Sequence, residues 1–150
     1  MAKRLIVQSP DPILFKKCRT VDTFDERLHV LLDDMKETLV DADGAGLAAP
    51  QVAVLKRVCV VSTEDGYYEL VNPEIKSASG EQTGIEGCLS VKGKYGTVTR
   101  AEKISVTAQD RYGKKHRYKI SGFTARAFQH EIDHLDGVLY TSKCTDLQNE

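Results

Sequence analysis

No stretch of this 150-residue chain comes near the roughly 20 consecutive apolar residues that a membrane-spanning helix needs. Behind Met1-Ala2-Lys3-Arg4 the first apolar run is only Leu5-Ile6-Val7, too short for the core of a signal peptide. An excess of one charge is missing too: 21 Lys+Arg face 22 Asp+Glu, for a formal net charge of −1. The lack of a basic surplus argues against broad electrostatic binding to nucleic acid or to an anionic membrane. The four cysteines, Cys18, Cys59, Cys88 and Cys144, form no C-x-x-C pair. A secreted disulfide scaffold would be shorter and denser in cysteine, so a reducing compartment is expected. No internal repeat, low-complexity block or Pro/Gly/Ser-rich linker divides the chain, and one domain over residues 1–150 is expected. A chain of this length buries roughly 68–70% of its unfolded surface and needs no disulfide or structural metal merely to fold.

The patterning that is present reads as helix, strands, helix. Pro12 suits the first turn of a short helix after Pro10-Asp11. Thr23-Phe24-Asp25-Glu26 has the form of a capping box, and Leu28, Leu31, Leu32, Met35 and Leu39 follow as one apolar stripe at helical spacing. That helix is expected to run to about Asp41 and to stop before Gly44 and Gly46. Residues 58–61, 68–75 and 103–110 carry apolar, β-branched and aromatic residues and read as strands. Asp110-Arg111-Tyr112-Gly113 is a turn signal, with 116–120 as the returning strand. A second helix fits 123–135, with Ser121 as a cap and Gly137 as the left-handed stop. Residues 138–140 read as a final strand. The expected fold class is α+β, with mixed or antiparallel strands packed around a central helix.

The sharpest chemical signal lies on that helix, in His130-Glu131-Ile132-Asp133-His134. Residues four apart share a face, so both imidazoles can reach one metal ion while Glu131 stands beside it. Alone, the string also fits a solvated helix with two histidines facing water. A catalytic site needs a third ligand and a fourth position left open. Cys88, inside Gly84-Ile85-Glu86-Gly87-Cys88-Leu89-Ser90, is the candidate; its alternative is a small buried hydrophobe, the reading that fits Cys59 better. Small residues in Gly44-Ala45-Gly46-Leu47-Ala48-Ala49-Pro50-Gln51 permit close approach of backbone to a ligand. Gln51 offers an amide donor for a developing oxyanion.

Together these segments resemble the three signature motifs of the peptide deformylases, G-x-G-L-A-A-x-Q, E-G-C-L-S and Q-H-E-x-D-H-L-x-G. They correspond to 44–51, 86–90 and 129–137 with every fixed position present. The likeness extends to Asp11-Pro12-Ile13-Leu14 and Val71-Asn72-Pro73, and runs from about Leu5 to Tyr140. The resemblance implies a cytoplasmic bacterial enzyme that removes the formyl group from N-formylmethionine on nascent chains. It implies Cys88, His130 and His134 as metal ligands and Glu131 as general acid/base. Gln51 and the Leu89 backbone N–H would hold the oxyanion. Fe(II) would be the physiological ion, with zinc, nickel or cobalt able to substitute. The methionine side chain needs an apolar pocket, for which Ala45, Gly46, Gly87, Phe123 and Ala127 are candidate walls. The resemblance also suggests that Glu86 pairs with Arg100 to brace the loop carrying Cys88, and that Asp133 or Asp136 orients a ligand histidine. Expected partners are formylmethionyl peptides and, transiently, the ribosome; a monomer without direct nucleic-acid or membrane binding is expected.

Two departures stand out. Many members read Val-Pro-Gly and then an Arg-Gly pair after the cysteine motif, where this chain has Val91-Lys92-Gly93-Lys94-Tyr95-Gly96. Many continue into a C-terminal helix, which here is expected to be absent or very short. The alternative functions are another H-E-x-x-H hydrolase cutting internal peptide bonds, and a non-catalytic metal- or peptide-binding module. Neither Glu131 nor Gln51 is needed for the second.

Overall fold

The computed structural model describes residues 2–150. Among these, the long helices are α1 (Glu26–Ala42) and α2 (Gly122–Leu135), joined by eight strands and three short 3-10 turns. The α1 stripe forms as its spacing requires: Leu28, Leu31, Leu32, Met35 and Leu39 are all buried. Its cap differs from expectation. Asp25, not Thr23, accepts from the Leu28 N–H at 3.2 Å, and the Thr23 hydroxyl turns to Asp22. A carboxylate at the cap satisfies an orphan donor and also meets the positive end of the helix dipole. The helix closes on Asp43 in the left-handed region, φ 54°.

The strands are β1 (Gly46–Ala48), β2 (Val58–Thr63), β3 (Gly66–Ser79), β4 (Gln82–Cys88), β5 (Val91–Arg100), β6 (Lys103–Gln109), β7 (Lys115–Ser121) and β8 (Gln148–Asn149). They form a five-stranded sheet, β1-β2-β3-β6-β7, and a three-stranded one, β4-β5-β8. Every ladder between named strands is antiparallel. The hairpin at Asp110-Gly113 is present, with Gly113 at φ 85° and a bond from its N–H to the Asp110 carbonyl.

The helices cover the larger sheet unequally. Ala125, Phe128, Ile132 and Leu135 of α2 pack on one face, against Cys59, Val61, Leu70, Ile104, Val106 and Ala108. α1 packs on the other, against Leu47, Val58, Val60 and Val71. α1 therefore covers only the β1–β3 side, and the matching face of β6 and β7 is left to solvent.

Two stretches departed from the sequence reading. β4 and β5 were not anticipated because Gly84, Gly87, Gly93 and Gly96 mask the two-residue alternation. The glycines answer to packing: a Cβ at Gly96 would lie 2.8 Å from the Cys144 Cβ. Residues 138–140 are not a strand. Leu139 and Tyr140 are buried with Leu14, Val91 and Val98, and Tyr140 opens a short 3-10 turn instead. No C-terminal helix follows among the described residues; β8 pairs with Lys94 and Tyr95 of β5.

Candidate metal centre

α2 lies under the larger sheet with β4 running past its flank, and their meeting point holds the chemistry. Cys88 closes β4, and His130 and His134 stand one helical turn apart on α2. One ligand atom from each lies within 4.8 Å of the other two. The Cys88 Sγ is 3.4 Å from His134 Nε2. His130 Nδ1 sits 2.8 Å from Glu86 Oε1, a carboxylate that can only accept, so Nδ1 donates to it and Nε2 is the nitrogen turned toward the cluster. His134 is fully buried; burial first, then His130 and Arg100, push its pKa down to about 3, so it presents a neutral ring. A thiol and two imidazoles converging with one side left open fit a four-coordinate divalent ion of the zinc or iron type.

Glu131 completes the group. It is buried, its Oε1 has no hydrogen-bond partner among the described residues, and its Oε2 lies 4.0 Å from His130 Nε2. Burial lifts its pKa to about 7, against the pull of His130 and Arg100. Gly46 makes room for it: a Cβ there would come within 2.5 Å of Glu131 Oε2. The small-residue run that contains Gly46 is thus a short strand and turn pressed against the carboxylate, not a free loop.

Behind the ligands lies a buried charge network. Arg100 grips Glu86 through Nε at 2.6 Å and Nη2 at 2.9 Å. Its Nη1 reaches Asp133 at 2.9 Å, which Lys143 also meets at 3.0 Å. The suggested Glu86–Arg100 pair is therefore present. Burial alone would raise the Glu86 pKa, but His130 and Arg100 outweigh it and hold the carboxyl well below the usual range. Arg126, not singled out from the sequence, also donates to Glu86 and to the Val98 carbonyl. Its signal was legible: it lies four residues before His130 on α2, and so on the same face toward the same carboxylate. The suggestion for Asp133 or Asp136 needs correcting. Asp133 is taken by Arg100 and Lys143, Asp136 pairs with Arg57, and the acceptor at His130 is Glu86. Tyr140, also missed, stacks on the His130 ring with centroids 6.0 Å apart.

In front of the ligands opens a cavity of about 930 Å³. Ala45, Gly46, Gly87, Phe123 and Ala127 all line it, with Cys88, Leu89, His130 and Glu131. Phe123 is 61% exposed, which puts it at the rim. Gln51 is buried behind this wall. Its Oε1 accepts from the Ala48 N–H at 2.9 Å, and its amide nitrogen donates to Ser90 Oγ at 3.0 Å and lies 3.6 Å from Cys88 Sγ. Those bonds fix the amide beside the Cys88 sulfur.

A profile of the polypeptide deformylase family matches residues 3–150. The chain is similar to peptide deformylase 1 of Bacillus subtilis, 52% identical over 100% of this chain and 95% of the relative. It is also 52% identical to a peptide deformylase of Caldicellulosiruptor bescii, over 95% of this chain and 86% of that one. Among solved structures, a Legionella pneumophila peptide deformylase superposes with a TM-score of 0.92 at 46% identity, covering 96% of this chain and 87% of the other. One from Thermotoga maritima gives 0.95 at 35% identity, covering 97% and 100%.

Proposed function

From the premise that this chain belongs to the polypeptide deformylase family, we propose how its own residues carry out the removal of the formyl group from N-formylmethionyl peptides. The family is metal-dependent, and Cys88, His130 and His134 would hold the ion. Once bound, a divalent ion supplies Lewis acidity that brings the pKa of a coordinated water toward roughly 7. Glu131, with one oxygen unpartnered and its pKa raised to about 7, takes the water's proton and returns it to the departing amine. The Gln51 amide and the Leu89 backbone N–H hold the formyl oxygen as negative charge grows on it. Ala45, Gly46, Gly87, Phe123 and Ala127 shape the space for the methionine side chain. Glu86, braced by Arg100 and Arg126, keeps His130 turned toward the ion.

The observation that carries this reading is the convergence of Cys88, His130 and His134 within 4.8 Å, at a cavity that Glu131 also lines. Residues 1–150 act as one catalytic domain in this reading. The native ion is Fe(II), for which the donor set is suited as it is for zinc, nickel or cobalt. The thiolate ligand requires a reducing environment, which supports a cytoplasmic protein. It works there as a monomer and meets nascent chains in transient contact with the ribosome.

The test is anaerobic purification of native protein, Glu131→Gln and Cys88→Ala, with metal analysis and turnover of formyl-Met-Ala-Ser. Glu131→Gln should keep the ion and lose about 10²–10⁴-fold in kcat. Cys88→Ala should lose tight binding. Full activity in the first, or full metal content in the second, removes that residue from its assigned role.

A further inference from the structure

We propose that the solvent face of β6 and β7, on the far side of the sheet from the metal centre, docks the phosphate backbone of duplex RNA. The inward residues of these strands, Ile104, Val106, Ala108, Tyr118 and Ile120, pack toward α2. Alternation then sends Lys103, Ser105 and Thr107 of β6, and Lys115, Arg117, Lys119 and Ser121 of β7, to the opposite face. The register sets them side by side: Ser77, Ser105 and Lys119 form one row, and Ser79, Lys103 and Ser121 the next. Thr107 lies beside Arg117, and Gln109 beside Lys115. These two serine–lysine rows line a shallow depression of about 310 Å³, with the backbone at Ile104 and Ile120 between them.

Lys103, Lys115, Arg117 and Lys119 have no carboxylate partner among the described residues, and the hydroxyls of Ser77, Ser79, Ser105 and Ser121 have no hydrogen-bond partner there. The nearest acid in the register, Glu74, is already paired with Lys76 at 2.9 Å. The whole-chain charge of −1 therefore conceals a face with four cations outside any ion pair, near which Glu74, bonded to Lys76, is the acid in the register. A duplex docked here would run against the expectation of no nucleic-acid contact drawn from composition.

Protection of an exposed sheet edge accounts for lysines on β7, the outermost strand. It does not account for Lys103 and the serines on strands inside the sheet. Alternate residues of a strand stand about 6.8 Å apart, so three cations along β7 offer a line that a chain of phosphates can follow and a single anion cannot fill. Hydroxyls interleaved with cations are the side chains that bind phosphate oxygens. Tyr68 and Tyr118 face inward against Phe128, which leaves this face without a stacking platform for unpaired bases and favours a duplex read by its backbone. It also lacks the large apolar side chains that would enter a lipid interface.

The test is fluorescence anisotropy of a labelled 16-base-pair RNA duplex titrated with the full-length protein from 50 to 200 mM salt. Native protein should bind with a log–log salt slope of about −3.6, as four phosphate contacts on a duplex require. K103E/K115E/R117E/K119E should bind at least about 100-fold more weakly. K115Q/R117Q should bind about 10-fold more weakly and give the answer if the fourfold variant fails to fold. Turnover of formyl-Met-Ala-Ser should be unchanged in both. No RNA binding by native protein, equal binding by the folded variants, or binding of phosphatidylserine vesicles without RNA would overturn the proposal.

Discussion

Glu86 and Lys119 are both charged residues on antiparallel strands, one facing α2 and the other facing water. Around Glu86 nearly every charge has an opposite within hydrogen-bond reach: Arg100, Arg126 and His130 converge on one carboxylate, and Asp133 ties Arg100 to Lys143. Around Lys119 the cations stand in rows with hydroxyls, and Glu74, the acid in the register, is paired with Lys76. The buried set cannot tolerate an unmatched charge, because water is not there to solvate it. The exposed set can, because each cation keeps its hydration, and its charge stays available to a partner. The same residue types thus build a support behind His130 in one region and an open electrostatic surface in the other.

The contrast breaks most sharply at Glu86. Glu86→Gln leaves two buried guanidinium groups facing a neutral amide, and should cost about 3–5 kcal/mol by urea unfolding, with weaker metal retention. A loss below 1 kcal/mol would mean that the network is no more than a surface ion pair.

Arg4 and Asp34 lie between the two regimes, with Asp34 buried and Arg4 about one-third exposed. Burial would raise the Asp34 pKa, but bonds from the Ala2 N–H and the Arg4 side chain outweigh it and hold the carboxyl below its usual range. Its stabilising contribution is therefore complete above about pH 4 and disappears as pH falls through the depressed folded value. Asp34→Asn should lower stability at pH 7 on the order of 1 kcal/mol and weaken the loss of stability below pH 4. An unaltered acid limb would assign that limb to other carboxylates.

The smallest effect belongs to the open face. Lys115→Gln and Lys119→Gln should each change the unfolding free energy by no more than about 0.5 kcal/mol. A larger loss would show that these side chains support the sheet rather than await a partner.

The candidate site was legible where the spacing of residues is itself the geometry. His130 and His134 are four apart on a helix, and a helix leaves them no choice of face. Glu131 came with them from the same string, Cys88 and Gln51 were candidates from their Gly-rich segments that the motif likeness then singled out, and the fold brings all three to one place. Arg126 was overlooked because its spacing from His130 marks a shared helix face but not burial, which comes only when β4 lies across it. The strand assignment failed at β4 and β5, where glycines serve neighbours distant in sequence: Arg126 for Gly84 and Cys144 for Gly96. It failed again at 138–140, where apolar residues enter a core rather than a sheet.

The sequence by itself determined both helices, the α1 stripe, the β6–β7 hairpin and the pairing of His130 with His134 on one face of α2. All of these rest on interactions within a few residues, so local periodicity carries them. Only the tertiary structure decided which acid holds His130, that Arg126 joins Arg100 on that acid, and that a chain of near-zero net charge keeps a basic face. Those outcomes depend on which strands become neighbours and in what register. A one-residue slip would turn every side chain to the other side of the sheet, and no count of residues along the chain contains that information.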